Sequence, residues 1–403
     1  KDLGLQMLGS VLDYLLERRN DYLHLVVGTS GDTGPAAIEA VKGKHNLEIV
    51  CLYPSGGRVS KIQENQMTSV TDTNVHVIGV DGTSDDLDAP MEVVFRDTPF
   101  KKRHKMGSVN SVNIVRILCH TVNFFYGVIH SASHPTQGLG IPGVLGVSEA
   151  SEVSPDCAMV VPTGAAGHLT GGIIAKMMGL PMYSICASVN QNDVMHRFLS
   201  TGVFCTAATY QTVAPAMDIQ VPYNIERIFY FATNGDSATV TKWMAMAKEG
   251  SEINMKLEAP LAFAKITDVW GIWSHCASDA EIISTIKDTN TLCGYIPDPH
   301  TAVGLSALKF GNRSKVVGAN RVVAMGCAHP VKFMELFSRI FETKNIEDTI
   351  KSIPQTMTHP HVSNAARLVS QEHTSIVLEC KDVETHLRKL IESLSRRRIY
   401  GEV

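Results

Sequence analysis

The chain has 403 residues, 44% of them hydrophobic and 19% charged, and 36 basic against 40 acidic residues leave a formal net charge of −4. That length supports a large core and two or more domains, and the acidic balance argues against a general nucleic-acid surface, which needs a basic excess. Nine cysteines without a CxxC pair read as reduced thiols of an intracellular, cytoplasmic protein, and no apolar run reaches the ~18 residues of a membrane span.

In chain order, Leu5, Leu8, Val11, Leu12, Leu15 and Leu16 recur at helical spacing, so an amphipathic helix opens at Lys1. "YLHLVV" (22–27) is β-rich and meets "GTSGDTG" (28–34), after which "PAAIEAV" (35–41) places Pro35 in a first helical turn. "IVCLY" (49–53) is a second strand, ending at the turn "PSGG". "NVHVIGV" (74–80) is a third, running into the acidic loop "DGTSDDLD". "NSVNIVR" (110–116) leads into a helical segment through "ILCHTVNFF". The strand–turn–helix pattern returns in "AMVVPTGAAGHLTGGIIAKMMGL" (158–180), followed by "PMYSICA" (181–187). "RVVAMGCAHP" (321–330) is a strand running into a loop, and "VKFMELFSRIF" (331–341) a helix. Past about residue 340 the chain turns polar and closes on "RRRIY" (396–400), which reads as a solvated helix end. Short strands alternating with helices predict an α/β fold: mostly parallel sheets, helices on both faces, and ligands at the C-terminal ends of the strands.

Three segments suit anions. In "GTSGDTG", backbone N–H groups at a helix start are joined by the hydroxyls of Thr29, Ser30 and Thr33, with Gly31 allowing close approach. It is neither a Walker A loop nor G-x-G-x-x-G nor G-x-S-x-G, and by itself it also reads as an ordinary strand–helix turn. In "PTGAAGHLTGG" (162–172), Gly164 and Gly167 bracket Ala165 and Ala166, so little but backbone can meet a ligand. That suits a phosphate, and it equally suits a tight turn with close helix packing. In "NSVNIVR", Asn110, Ser111, Asn113 and Arg116 bring polar donors into an apolar segment, Arg being shaped for bidentate phosphate contact; the plain alternative is an Arg116 facing solvent. One phosphate-bearing cofactor and a substrate with a carboxylate and its own phosphate would fill all three. His130 and His134 in "HSASH", and the "HPH" at 359–361, lack partners for a metal set, so no metal is expected. Cys327 reads as a buried packing residue unless a ligand ring covers it.

"KDLGLQ", "GTSGDTG", "GRVSKIQENQMTSV", "NSVNIVR", "VPTGAAGHLTGG", "NQNDVMHRFLSTG", "PAMDIQVPYNIER", "PHTAVG" and "AHPVKF" occur in this order. With them the chain resembles the threonine synthases, fold-type II pyridoxal-phosphate enzymes, and most closely their animal threonine synthase-like branch. The resemblance runs from Lys1 to about residue 340. It implies two domains with pyridoxal 5′-phosphate in the cleft: residues 1–105 the remainder of the N-terminal side and smaller domain, 106–340 the larger cofactor-binding domain, and 341–403 a C-terminal helical extension. It implies that Lys1 forms the Schiff base, which means that the sequence starts part-way along a longer protein, with any targeting signal ahead of Lys1 left open.

Position by position, the resemblance puts the substrate carboxylate on Thr29, Ser30, Gly31, Asp32 and Thr33, with Asp32 also close to the cofactor ring. It puts the cofactor phosphate on Gly164, Ala165, Ala166, Gly167, His168 and Leu169, the substrate phosphate on Asn110, Ser111, Asn113 and Arg116, and Cys327 beside the pyridine nitrogen. Many microbial members carry Asn, Phe and Asn at Ala165, Ala166 and His168, and Thr at Cys327. The alanine pair marks the branch associated with phosphate elimination without completion of threonine. The expected activity is therefore a phospho-lyase on O-phosphohomoserine, with O-phosphothreonine as a further substrate, giving 2-oxobutyrate, ammonia and phosphate. The alternatives are a threonine synthase making L-threonine and a non-catalytic binding or signalling relative. The expected partner is a small phosphorylated amino acid, with no nucleic acid and no membrane, and the expected state is a monomer or weak homodimer.

Overall fold

The computed structural model describes residues 1–83, 85–133, 156–343, 348–349 and 375–400. His134 and the "HPH" segment lie outside the described residues. The chain divides into two compact units, Lys1–Arg116 with Pro360–Val403, and Ile117–His359.

The first unit is built on a five-stranded sheet: β1 (Leu23–Gly28), β2 (Leu47–Pro54), β3 (Val75–Asp81), β4 (Met106–Ser108) and the strand Ile376–Glu379. Its order is Ile376–Glu379, β3, β2, β1, β4, and every pairing is parallel. Strand side chains alternate between two covered faces. Leu25, Val27, Ile49, Cys51 and Tyr53 join Leu5, Leu8, Ala37 and Ile38 from the helices Asp2–Arg19 and Thr33–Val41. Val26, Val50, Leu52, Ile78 and Val80 join Met91, Val94, Val383, Leu387 and Ile391 on the other face. In the opening helix Leu5, Leu8 and Leu16 are buried as their spacing predicts, whereas Leu15 is exposed. Gly9 is required where that helix crosses Thr33–Val41: a Cβ there would sit 2.4 Å from the Ala40 carbonyl oxygen.

The second unit carries β5 (Cys157–Pro162), β6 (Met182–Val189), β9 (Ile272–Cys276) and β10 (Arg321–Ala324) in a parallel sheet of order β10-β5-β6-β9. The short strands β7 (Val203–Phe204) and β8 (Ile253–Asn254) pair antiparallel. Met159, Val161, Ile185, Ala187 and Val189 face one side, with Phe198, Phe229 and Trp243. Val160, Cys186 and Trp273 face the other, against Ala307 of the helix Pro299–Phe310. The helix Gly167–Met177 presses on the helix Ile114–Ser133, where a Cβ on Gly171 would meet His120 Cβ at 2.7 Å and one on Gly172 the Phe124 ring at 2.7 Å.

Several expectations shift. The division falls after Arg116, not after residue 105. The expected C-terminal helical extension is instead part of the first unit, because Ile376–Glu379 adds a parallel strand to β3 and the helix Cys380–Tyr400 buries Val383, Leu387, Ile391 and Leu394 in its core. The acidic loop ends in a 3-10 turn, Asp85–Leu87, and the helix Asp88–Arg96. The 331–341 segment opens as a 3-10 turn, Pro330–Phe333, because His329 Nδ1 takes the Val331 N–H before the helix Met334–Ile340 begins.

Nor is "RRRIY" only a solvated end. Glu48 is buried on β2, and its carboxylate receives Arg397 Nη2 and His76 Nε2 (2.9 Å), with Arg398 Nε 3.9 Å away. Removing both arginines leaves a buried carboxylate with a single weak partner. The double variant Arg397→Ala/Arg398→Ala is expected to lose about 2–3 kcal/mol in urea unfolding at pH 7.

Candidate functional site

In the first unit the expected residues gather at the C-terminal ends of β1 and β4, which are neighbours in the sheet. Lys1 Nζ lies 3.9 Å from Asp32 Oδ2, and the lysine side chain keeps 34% of its exposure. Asp32 begins the helix Thr33–Val41 without capping it; its buried carboxylate instead accepts Gln63 Nε2 at 2.9 Å. Gln63 is held in turn by the capping box of Ser60. Thr29 Oγ1 accepts the N–H groups of Gly31 (3.0 Å) and Gly34 (2.8 Å). With both lone pairs engaged, that hydroxyl has its proton to offer, which suits an anionic oxygen. Gly31 adopts φ +133, a backbone state that favours glycine.

The "NSVNIVR" segment follows β4. Asn110 Nδ2 donates to the Gly28 carbonyl at 3.0 Å, tying this segment to the end of β1. Asn113 donates to the Ser108 carbonyl and accepts from Val115 N, both at 3.0 Å, so it builds the turn that starts the helix Ile114–Ser133. Ser111 is half-buried beside it. Arg116 does not face solvent: it is buried, and Nη1 donates to the Val109 carbonyl at 3.0 Å.

In the second unit the loop Thr163–Leu169 leaves the C-terminal end of β5. Thr163 N–H continues toward β6 by bonding Ser188 O at 2.7 Å. Ala166 stands in the left-handed region, φ +59, and no side chain caps the helix that follows. That conformation costs an L-residue roughly 1–2 kcal/mol, and its methyl is buried with Phe124 and Leu169. The first N–H groups of a helix have no internal acceptor, so this loop offers backbone donors and almost no side chain. Gly164 has no room for a Cβ without crowding Met217 Cα at 3.3 Å.

His168 is the second residue of the helix Gly167–Met177. Its ring turns to the helix Ile114–Ser133, 4.9 Å from the His120 ring and 5.3 Å from Phe124 in an edge-on contact. Its Nε2 is buried and has no hydrogen-bond partner among the described residues. Burial pushes its pKa down to about 3.

Cys327 follows β10, the neighbour of β5, and is exposed rather than packed. Its N–H donates to Thr301 Oγ1 at 2.9 Å, and the Ala328 N–H donates to Asp298 Oδ2 at 3.0 Å. Asp298, fully buried, also accepts the N–H groups of His300 (3.0 Å) and Thr301 (3.4 Å), the Thr301 hydroxyl and His300 Nδ1 at 2.9 Å. His300 Nε2 accepts the Ala216 N–H at 3.1 Å, which places the imidazole proton on Nδ1. One carboxylate thus fixes the turn that carries Cys327. Among the described residues no group of three or more His, Cys, Asp or Glu side chains could hold a metal ion, and no helix is long and apolar enough to cross a membrane.

No protein-family model matches the chain. Threonine synthase-like 2 of Xenopus laevis is 35% identical over 403 residues, covering 99% of this chain and 76% of the frog protein. The chain belongs to the threonine synthase family. Threonine synthase-like 2 of Homo sapiens is 39% identical over 76% of this chain, which spans 59% of the human protein's length. The crystal structure of PLP-bound threonine synthase from Brucella melitensis superposes with a TM-score of 0.74 at 30% identity, over 96% of this chain and 75% of that one.

Within the threonine synthase fold, the supporting residues that motif reading leaves without a role are Gln63, Asn224, Asp298 and Thr301. Gln63, Asn224 and Thr301 stand inside the family segments "GRVSKIQENQMTSV", "PAMDIQVPYNIER" and "PHTAVG", and Asp298 immediately precedes the last of these, yet only folding brings the four to the loops they hold. His168 yields a pH signature. The unfolded imidazole takes up a proton near pH 6.5 that the buried ring refuses. Stability linked to this residue is complete above 6.5 and falls away as pH drops toward 3. Between pH 7 and 4.5 the wild type should lose about 2 kcal/mol more than His168→Gln, read from urea midpoints at each pH.

Proposed function

We propose that this chain is a pyridoxal-phosphate enzyme acting as a phospho-lyase on O-phosphohomoserine, with O-phosphothreonine as a further substrate. A pyridoxal-phosphate enzyme of the threonine synthase family is supported by the relatives and the structural neighbours alike. The observation that carries the reading is the Lys1 amine beside the Asp32 carboxylate, at a loop whose Thr29 hydroxyl has its proton to give.

The residues fit the cofactor. Lys1 offers the amine its aldehyde needs, and the loop Gly164–Leu169 offers uncapped backbone donors for its phosphate. When bound, pyridoxal phosphate supplies an aldehyde for amines and a ring that draws off electrons released at the substrate's Cα. Lys1 Nζ rests next to the opposite charge of Asp32, 3.9 Å away. It becomes a base at the substrate's Cα and Cβ when that charge is relieved, and it carries the proton between them. Thr29, Ser30 and the N–H groups around Gly31 bind the substrate carboxylate. Arg116 brings a buried positive charge to the foot of the Asn110–Asn113 segment, which receives the substrate's phosphate.

Loss of protons from Cα and Cβ expels phosphate from Cγ, and return of one proton to Cγ leaves an unsaturated amine. Hydrolysis of that amine gives 2-oxobutyrate and ammonia, whereas water added at Cβ gives threonine. Ala165 and Ala166 end at Cβ, and Ala166's methyl is committed to the core. The loop therefore has no side chain with which to hold an attacking water, and release should outrun hydration. Turnover of O-phosphohomoserine by the whole protein is expected to yield 2-oxobutyrate, ammonia and phosphate in equal amounts with little threonine, measured by chromatography of the products. Threonine equal to the phosphate released would make the enzyme a threonine synthase instead.

Arg116→Ala is expected to raise KM for phosphorylated substrates about tenfold or more while sparing cofactor uptake. An equal loss with unphosphorylated amino acids would give Arg116 a structural role.

A further inference from the structure

The carbonyl of Ala165 is saturated from one side. It accepts the backbone N–H of Asn224 at 3.3 Å and the side-chain Nδ2 of the same residue at 2.9 Å. Asn224 Oδ1 in turn accepts Arg227 Nη1 at 2.7 Å. The next carbonyl, of Ala166, is likewise saturated by Thr170, through its N–H at 2.9 Å and its hydroxyl at 2.8 Å. In a trans peptide the C=O and the following N–H point in opposite directions. Fixing the Ala165 carbonyl toward Asn224 therefore turns the Ala166 N–H away from it. Fixing the Ala166 carbonyl down the helix turns the Gly167 N–H out of the helix start. Two successive N–H groups are held in a donor array, at a residue whose left-handed φ would otherwise relax.

We propose that Asn224 and Arg227 are positioning residues that set the affinity of the Gly164–Leu169 loop for a phosphate monoester. The proposal rests on that loop being the cofactor-phosphate seat. Asn224 imposes the peptide orientation, and Arg227 fixes the rotamer of Asn224 while placing a half-buried cation behind the loop. Burial pushes the Arg227 guanidinium below its usual pKa, so it is a weakly solvated charge whose field is less screened than a surface arginine's. Neither side chain is required to touch the phosphate. The loop contributes backbone donors, so its affinity depends on how well they are pre-aimed.

The test compares pyridoxal 5′-phosphate with pyridoxal, which carries the same aldehyde and lacks the phosphate. Affinities of the whole protein are read from the visible absorbance of the bound chromophore, and the stability of each unliganded variant from its thermal midpoint. Asn224→Ala and Arg227→Gln should each weaken pyridoxal phosphate about tenfold or more and leave pyridoxal within about twofold. Arg227→Lys, which keeps the charge and a donor, should recover most of the loss. Arg227→Gln carries the test alone if Asn224→Ala does not fold. Equal weakening of both ligands, or variants that keep the wild-type preference for the phosphate, would overturn the proposal. A wild type that binds the two ligands equally would overturn the seat itself, and so the reading on which the proposal rests.

Discussion

A helix that follows a parallel strand starts with N–H groups that nothing inside the helix can satisfy. The sites of this protein grow from that constraint. The strand–helix turns after β1 and β5 both begin their helices without a side-chain cap. Ser60, Asp236, Ser278 and Asp298 cap their own helices, whereas those starting at Asp88, Val194 and Ile225 lack a side-chain cap as well. What sets the turns after β1 and β5 apart is that they follow parallel strands at the end of the sheet where ligands of such folds bind.

Leaving donors open is useful only if they are aimed, and the chain invests buried polar hubs in the aiming. Asp298 gathers five donors, one of them the Ala328 N–H of the turn that carries Cys327, and it also holds the Thr301 hydroxyl that accepts the Cys327 N–H. Thr29 ties two glycine N–H groups into its own loop, and Asn110 locks the end of β4's loop to the end of β1. A buried carboxylate stripped of even part of such a set is costly. These hubs therefore hold loop geometry with an authority that glycine-rich backbone alone lacks.

The strands of both units and the helices beside the glycine turns were legible as apolar runs broken by Gly and Pro. The "GAAGHL" loop was legible as a candidate because a helix start with small residues has a direct chemical meaning, whereas Lys1 and the ring-side place of Asp32 came from the family resemblance. The C-terminal strand was not, because Ile376–Glu379 has only four residues and exposes three of them. The polarity of the following helix hides four buried apolar positions among its charges. Asn224 is distant in sequence from Ala165, and no local pattern marks such a pairing. His168 sits in a motif that suggests a ligand, yet its spacing to Gly171 and Gly172 puts it on the helix-packing face. That clue was available in the sequence and points to packing only once the neighbouring helix is known.

The central claim is that the Lys1 amine carries the cofactor. Borohydride reduction of the whole protein loaded with pyridoxal phosphate, followed by mass spectrometry of its peptides, tests this without any assumption about substrate. The account predicts one stable pyridoxyl-phosphate adduct, on the peptide containing Lys1, and none in Lys1→Ala. An adduct on a different lysine, or no adduct in the wild type at full cofactor loading, would contradict it.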